Sequence, residues 1–414
     1  TNTVTFQSQT GDNTSVTLTS TASSTVNYTL RFDGADYVTF QNMTVETDAS
    51  GTTYGRVVVF QNGSDYNSVE NCILNGLVVS ASSASNVAVV YGDDPMTYNK
   101  VSNNVINGGS SGIYLAGASA SPLTGNELTG NTINGPTDYG IYATYLDDGI
   151  VKGNSITSSS NPHSTVYGIY LTYPDGNVDI SGNDVNVQAG TLNGYGIYCY
   201  YGVGSASPGI TMFNNTVILS GSPSTNAWGI GVNVANARVY HNTVSHQVST
   251  GTIPAGLYIN STAATYTANE FVNNLLSCFS GAPAVNVTNT AITNGALSLL
   301  NYNNLYTNGA VLGTYRDTAC ANLAEWKAAT KQEANSRNLN PAYVSATNLT
   351  PESYSLDNKG TPLAAVPKDI NGTNRHATTP DIGAIEFVAP TAAKITVSDT
   401  FWDFGLQEYG HTYT

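Results

Sequence analysis

An asparagine returns along this chain at Asn42, Asn71, Asn104, Asn131, Asn154, Asn183, Asn215, Asn242, Asn274 and Asn303, with a shortest gap of 23 residues (131 to 154) and a longest of 33 (71 to 104). Most copies carry an apolar residue three before the asparagine and another two after it. Examples are Val101 and Ile106 around Asn104, Leu128 and Ile133 around Asn131, Val151 and Ile156 around Asn154, and Val239 and Val244 around Asn242. Around Asn42 and Asn71 the asparagine is kept but the apolar register slips. Side chains on a strand alternate with period two, so two positions five apart cannot both point inward unless the chain bends between them. The asparagine is therefore expected at a corner between two short strands. It tolerates the left-handed backbone a tight corner needs, and Gly130, Gly153 and Gly182 directly precede it. Asparagines stacked from coil to coil could hydrogen-bond to one another and satisfy buried amides.

A second repeat runs beside the first. Gly112-Ile-Tyr-Leu, Gly140-Ile-Tyr-Ala, Gly168-Ile-Tyr-Leu and Gly196-Ile-Tyr-Cys start 28 residues apart (112, 140, 168, 196), and Gly229-Ile-Gly-Val, Gly256-Leu-Tyr-Ile and Ala284-Val-Asn-Val continue the lane. Alternation points the residues flanking each Tyr inward and the Tyr outward. Each coil thus supplies three short strands and three corners. Parallel stacking of such coils buries a continuous apolar interior, and the helical patterns that a βαβ protein needs between strands are missing.

The asparagine corner, the Gly-Ile-Tyr-Leu lane and the coil length resemble the right-handed parallel β-helix proteins of the pectate-lyase-like superfamily over residues 1–310. The resemblance implies an all-β, three-sheet solenoid of about ten coils. Farther on, Leu323-Ala-Glu-Trp326-Lys, Asn335-Ser336, Leu339-Asn-Pro341 and the run from Asp369-Ile-Asn-Gly372 to Pro380-Asp-Ile-Gly-Ala-Ile-Glu-Phe387 resemble the C-terminal closing region of large β-helix surface proteins of bacteria that use type 9 secretion. Residues 311–387 are accordingly expected to cap the solenoid. Between Asp317 and Ser336, Leu323, Trp326 and Ala329 recur at helical spacing behind Asn322 as N-cap, which predicts a helix covering the last coil with Trp326 as its anchor. Residues 388–414 read as a linker and the first strands of an immunoglobulin-like module, and the chain as a piece of a longer extracellular or cell-surface protein.

Composition narrows the partners. Only 10% of residues are charged and the net charge is −15 with 13 basic residues, which argues against nucleic acid. No run reaches the ~18 apolar residues of a membrane span. Cys72, Cys199, Cys278 and Cys320 lie far apart without metal-ligand spacing and read as buried small apolar residues, a Cys278–Cys320 disulfide being the one pairing left open.

Catalytic groups are sparse. A lyase needs a base and cations beside a uronic acid, yet Lys100, Lys152 and Arg238 are the only cations between residues 60 and 300. A glycosidase needs carboxylates about 5–10 Å apart, and Asp93, Asp94, Asp147, Asp148 and Asp175 follow the tyrosine lane, where turn chemistry also explains them. Those same corners are where calcium could be held; no other cofactor is implied. Tyr240 and His241 are of the right types for proton transfer but alternate in direction along a strand. The positive signal is aromatic. Tyr114, Tyr142, Tyr170, Tyr198 and Tyr258 are expected to form an exposed outward strip for a polysaccharide or cell-surface glycan, with Tyr139, Tyr145, Tyr167, Tyr173, Tyr195, Tyr201 and Trp228 repeating beside it. Two readings follow: a non-catalytic adhesive or stalk segment, or a polysaccharide lyase or hydrolase.

Overall fold

A computed structural model describes residues 2–48, 53–80, 85–93, 95–202, 209–248, 250–261, 265, 267–293 and 295–390; the expected immunoglobulin-like strands after residue 390 lie outside these. The chain is an all-β solenoid. Among the described residues, sheets of 11, 11 and 12 strands run along it, each strand pairing in parallel with its counterpart in the next coil except the last strand of the third sheet, which is antiparallel. One coil comprises Lys100–Ser102 in the first sheet, Val105–Asn107 in the second and Ser111–Ala116 in the third. Through the middle coils equivalent residues lie side by side: Val101 beside Leu128, Ile106 beside Ile133 and Ile113 beside Ile141. Equivalent apolar side chains therefore stack into columns, and Val101, Leu128, Val151, Ile180, Met212 and Val239 are all but fully buried in one continuous interior. The bend inferred from the five-residue spacing is present, because the residues before and after the asparagine belong to different sheets.

The asparagines form a buried ladder. Asn104 donates its backbone N–H (3.1 Å) and its Nδ2 (3.1 Å) to the Oδ1 of Asn131, and its Nδ2 also reaches the carbonyl of Val69 (2.9 Å). The pattern repeats through Asn131, Asn154, Asn183, Asn215, Asn242, Asn274 and Asn303. The row ends where Asn303 donates to Ser336 Oγ (2.9 Å) and to the buried carboxyl of Glu333. Two details of the sequence reading need correction. The left-handed residue is the one before the ladder asparagine, as at Asn103, Gly130, Gly153, Gly182, Asn214, His241, Asn273 and Tyr302. Asn42 (φ 56°) and Asn71 (φ 52°) occupy that preceding place, so Met43 and Cys72 stand where later coils have the ladder, and the Cys72 N–H donates to Asn104 Oδ1 (2.9 Å). This is why the apolar register slips in those two coils. A second buried ladder, Asn67–Asn99–Asn126, turns the corner into the first sheet.

The left-handed position also docks the C-terminal region. Where the middle coils have glycine, Asn214, His241 and Asn273 carry side chains that grip the tail. Asn214 receives a hydrogen bond from Arg375 Nη2 (2.7 Å) and donates to the Lys368 carbonyl (2.7 Å). His241 lies 3.3 Å from the Gly383 carbonyl and 2.8 Å from Asn273 Nδ2, which also donates to the Thr361 carbonyl. Leu275, Leu356, Ile382 and Phe387 form a small second core beneath this tail. The expected helix is shorter than its window: Thr318–Cys320 forms a strand antiparallel to Gly313–Tyr315, and only Leu323–Thr330 is helical. The left-handed pair Arg316 and Asp317 makes the hairpin turn that stops the helix from starting earlier. Asn322 caps the helix by accepting from the Glu325 N–H (3.0 Å), and Trp326 is fully buried against the last coil. All four cysteines are buried free thiols, so Cys278 and Cys320 are not bridged; burial pushes the Cys199 and Cys278 thiols up to about 12.

His246 supplies a pH test. It is fully buried with Nε2 2.9 Å from the Ala227 carbonyl, and burial lowers its pKa from 6.5 to about 4. The folded chain keeps it neutral while the unfolded chain protonates near 6.5, so its contribution is complete above 6.5 and is lost as pH falls toward about 4. Asp138 and Asp381, raised to about 7 by burial, act in the opposite direction, because the folded state holds their protons more tightly than the unfolded state does. The informative quantity is therefore a difference between variants. His246→Gln should lose roughly 2–3 kcal/mol less stability than wild type between about pH 7 and about pH 4.5 in denaturant titrations. Equal losses would show that His246 is protonated in the folded protein.

Candidate functional site

Glycine shapes the outer face of the third sheet. A Cβ on Gly140 would lie 2.5 Å from Ile156 Cγ2 and 2.4 Å from the Gly168 carbonyl oxygen, and one on Gly168 would lie 2.3 Å from Val185 Cγ1 and 2.5 Å from the Gly196 carbonyl oxygen. The glycine thus faces the interior, and so does the isoleucine after it, which is fully buried. Two consecutive inward residues break the alternation, so the aromatic residue before each glycine and the tyrosine two after it both face outward. The result is two aromatic lanes. Tyr114, Tyr142, Tyr170 and Tyr198 stack at 4.6, 5.7 and 5.4 Å between ring centroids. Beside them run Tyr139, Tyr167, Tyr195 and Trp228 at 5.1, 4.7 and 4.8 Å. From Tyr167 to Tyr258 these rings form a cluster of their own, apart from the solenoid interior.

The strip expected from Tyr114, Tyr142, Tyr170, Tyr198 and Tyr258 is brought together, with two differences. Tyr198 is buried rather than exposed, because Tyr195, Tyr200 and Trp228 pack around its ring; the other four are half-buried. The column also breaks at Gly231, where a Cβ would meet the Tyr198 ring at 2.6 Å. Trp228 closes that gap by stacking on Tyr258 at 3.8 Å. Burial, followed by the neighbouring phenols, holds the Tyr170 and Tyr198 hydroxyls above the usual tyrosine range, so they remain neutral hydrogen-bonding groups. At the foot of the lanes Asp138 is buried with its Oδ1 3.8 Å from His163 Nδ1, and burial raises its carboxyl to about 7.

The more open aromatic surface lies around the corner. Tyr145, Tyr173 and Tyr201 stack at 4.8 and 5.4 Å and, with Ser119, Pro122, Asp147 and Asp175, line a groove of about 340 Å³. Tyr200 connects this stack to Tyr198. All three groove tyrosines have left-handed backbones (φ 54°, 52° and 59°), as do the stacked Tyr37, Tyr66 and Tyr98 (φ 60°, 57° and 55°) at the far side of the same corner. This conformation costs a bulky residue about 1–2 kcal/mol, which ring stacking of about 0.5–1.5 kcal/mol per pair offsets only in part. The 28-residue tyrosine period marked this groove in the sequence; that Tyr173 is exposed while Tyr198 is buried follows from the packing of Tyr195, Tyr200 and Trp228 around Tyr198.

The other sequence candidates are held in structural roles. Lys100 pairs with Glu127 (3.1 Å), Lys152 with Asp179 (3.8 Å) and Arg238 with Glu270 (3.5 Å), all from coil to coil on the first sheet. Asp93 accepts from the Tyr91 hydroxyl (2.8 Å), and Asp94 lies outside the described residues. Asp148 accepts the Asn177 N–H (2.7 Å) and Asp175 that of Gly176 (2.8 Å). Asp147 accepts from Thr124 Oγ1 (3.3 Å), and burial, then Asp148, raises its pKa. Among the described residues no group of three His, Cys, Asp or Glu side chains converges as a metal site. Tyr240 bonds to Glu270 while His241 is buried beneath the tail, its pKa held well below the usual range by burial and then by Arg375, and the two make no pair.

A family model agrees with this geometry. Residues 57–244 match the family model described as a right-handed β-helix region. Among solved structures the chain is similar to the Dettilon tailspike protein at 13% identity and a TM-score of 0.39, over 73% of this chain and 58% of that one. The chain thus spans little more than half the length of that structure. No curated protein matches the sequence. No helix among the described residues is long and apolar enough to cross a membrane.

Proposed function

We propose that this chain is a rigid, non-catalytic segment of a secreted or cell-surface protein that contacts polysaccharide or cell-surface glycan through its tyrosines. The observation that carries the reading is the groove of Tyr145, Tyr173 and Tyr201, three rings in parallel stack on successive coils in a backbone conformation that tyrosine rarely adopts. Such rings offer faces to sugar C–H groups and hydroxyls to sugar oxygens. Along a polymer, weak contacts on successive coils reinforce one another. Tyr114, Tyr142, Tyr170 and Tyr258 extend the same surface over the third sheet and Tyr198 supports it from beneath.

Tyr145→Ala/Tyr173→Ala is the direct test. Neither ring belongs to the solenoid core, so folding should be preserved while retention on the recognised glycan falls about tenfold, from two contacts of roughly 0.5–1.5 kcal/mol each. Unchanged retention, with the fold shown intact by circular dichroism, would sink the reading. One observation favours a hydrolase instead: Asp147 and Asp175 are neighbours on adjacent coils inside the groove. Release of reducing ends by the wild-type chain, abolished in Asp147→Asn, would establish that alternative.

A further inference from the structure

We infer that the polymer taken by this face is uncharged, and that polyuronates and other polyanionic glycans are excluded from it; this rests on the glycan-contact reading above. Between Lys100 and Arg316 the whole sequence contains only two cations, Lys152 and Arg238, and both are committed to ion pairs on the first sheet. The six third-sheet strands from Ser111–Ala116 to Ile253–Ile259 contain no Lys or Arg. Of the cations near the early coils, Arg31 pairs with Asp33 (2.9 Å), and Arg56 lies 3.1 Å over the Tyr91 ring and donates to the Ser85 carbonyl. Among the described residues, neither these six strands nor the groove lining supplies a Lys or Arg to neutralise a sugar carboxylate.

The groove instead presents Asp147 and Asp175 on neighbouring coils, with Asp148 beside them: a Cβ on Gly176 would lie 2.4 Å from Asp147 Oδ1 and 2.5 Å from Asp148 Oδ1. A polyuronate carries one carboxylate per sugar. Each like-charge pair held about 5 Å apart costs roughly 1–3 kcal/mol between bulk-water and protein-surface dielectrics, a distance inside the ~8 Å screening length at physiological salt. One such pair cancels a ring contact of about 0.5–1.5 kcal/mol. The carboxylates are not thereby a cation trap, since Asp148 and Asp175 are engaged by backbone N–H groups and Asp147 by the Thr124 hydroxyl. Neutral polymers meet rings and hydroxyls without either penalty.

Affinity electrophoresis against a panel of neutral polymers (xylan, mixed-linkage glucan, galactomannan), polygalacturonate and chitosan tests this. Retardation by at least one neutral polymer is expected, with polygalacturonate at least tenfold weaker. In Asp147→Asn/Asp175→Asn, polygalacturonate retardation should rise severalfold relative to that by the neutral polymer. Polygalacturonate or chitosan matching or exceeding every neutral polymer would overturn the inference and leave glycan contact standing. Indifference of polygalacturonate retardation to the double substitution would overturn the charge argument alone. Retardation by none of the panel would remove both readings.

Discussion

Replacing Asn154 with leucine should destabilise the solenoid by about 4 kcal/mol although the side chains are nearly equal in size and the site is buried. The Asn154 Oδ1 accepts both the backbone N–H and the Nδ2 of Asn131 (3.0 Å each), and its Nδ2 donates to the Leu128 carbonyl (2.8 Å) and to Asn183 Oδ1 (3.0 Å). Leucine leaves the buried Asn131 N–H without an acceptor and Asn131 Nδ2 with only the Val101 carbonyl, and it takes one donor each from the Leu128 carbonyl and from Asn183 Oδ1, which keeps the backbone N–H of residue 154. At about 1–3 kcal/mol for each orphaned group, the loss exceeds the roughly 1.5–3 kcal/mol that burying a leucine side chain contributes. The control is Asn134→Ala. Asn134 belongs to the exposed ladder Asn75–Asn107–Asn134, where water replaces the lost partners, so it should cost under about 1 kcal/mol. Hydrogen exchange is the sharper readout, because coils in a solenoid depend mainly on their neighbours. Protection should fall first at Asn131 and Asn183. Equal effects of the two substitutions in denaturant titrations would mean that burial of the ladder contributes nothing.

The ladder was legible because its signature combines a polar residue with an odd apolar spacing that only a bent strand can bury. Where it misled, at Asn42 and Asn71, the left-handed residue was itself an asparagine, and residue type alone does not distinguish a bend from a ladder position. The second ladder was missed because Asn67, Asn99 and Asn126 make only three copies. The docking of the tail left a trace that could have been read: the residue before the ladder asparagine is glycine at 130, 153 and 182 but Asn214, His241 and Asn273 where Lys368, Gly383 and Thr361 arrive.

The candidate site was legible as a set of residues and not as a surface. The tyrosine period is plain in the sequence, yet period-two alternation assigns one outward tyrosine per coil, while the structure exposes aromatic residues from both sides of each glycine. Which rings are open is then settled by crowding. Tyr198 is covered by Tyr195, Tyr200 and Trp228, whereas Tyr173 is 41% exposed at the corner. Neither fact follows from hydrophobicity or spacing.

Gly168→Ala tests the device that links fold to site. In an ordinary strand this change stabilises by about 0.5–1 kcal/mol, because alanine loses less backbone entropy on folding. Here it should cost about 3 kcal/mol. The new methyl would sit 2.3 Å from Val185 Cγ1, 3.1 Å from Val187 Cγ2 and 2.5 Å from the Gly196 carbonyl oxygen. A side chain can rotate away from such a contact, but a carbonyl fixed in a parallel sheet moves only with its coil, so overpacking reaches the upper end of its usual ~1–3 kcal/mol range. The substitution should also reach the outer face, since the bend at Gly168 is what allows Tyr167 and Tyr170 to face outward together, 4.4 Å apart. Loss of that bend should raise tyrosine exposure to acrylamide quenching and weaken glycan retention while the Tyr145–Tyr173–Tyr201 groove residues are untouched in sequence. Gly135→Ala is the comparison: no atom lies within 4 Å of its added Cβ and only its φ of +76° resists, so it should cost about 1 kcal/mol and leave the rings alone. A Gly168→Ala protein as stable as wild type would show that the coils can separate at that column, and that the pairing of the two aromatic lanes does not depend on glycine.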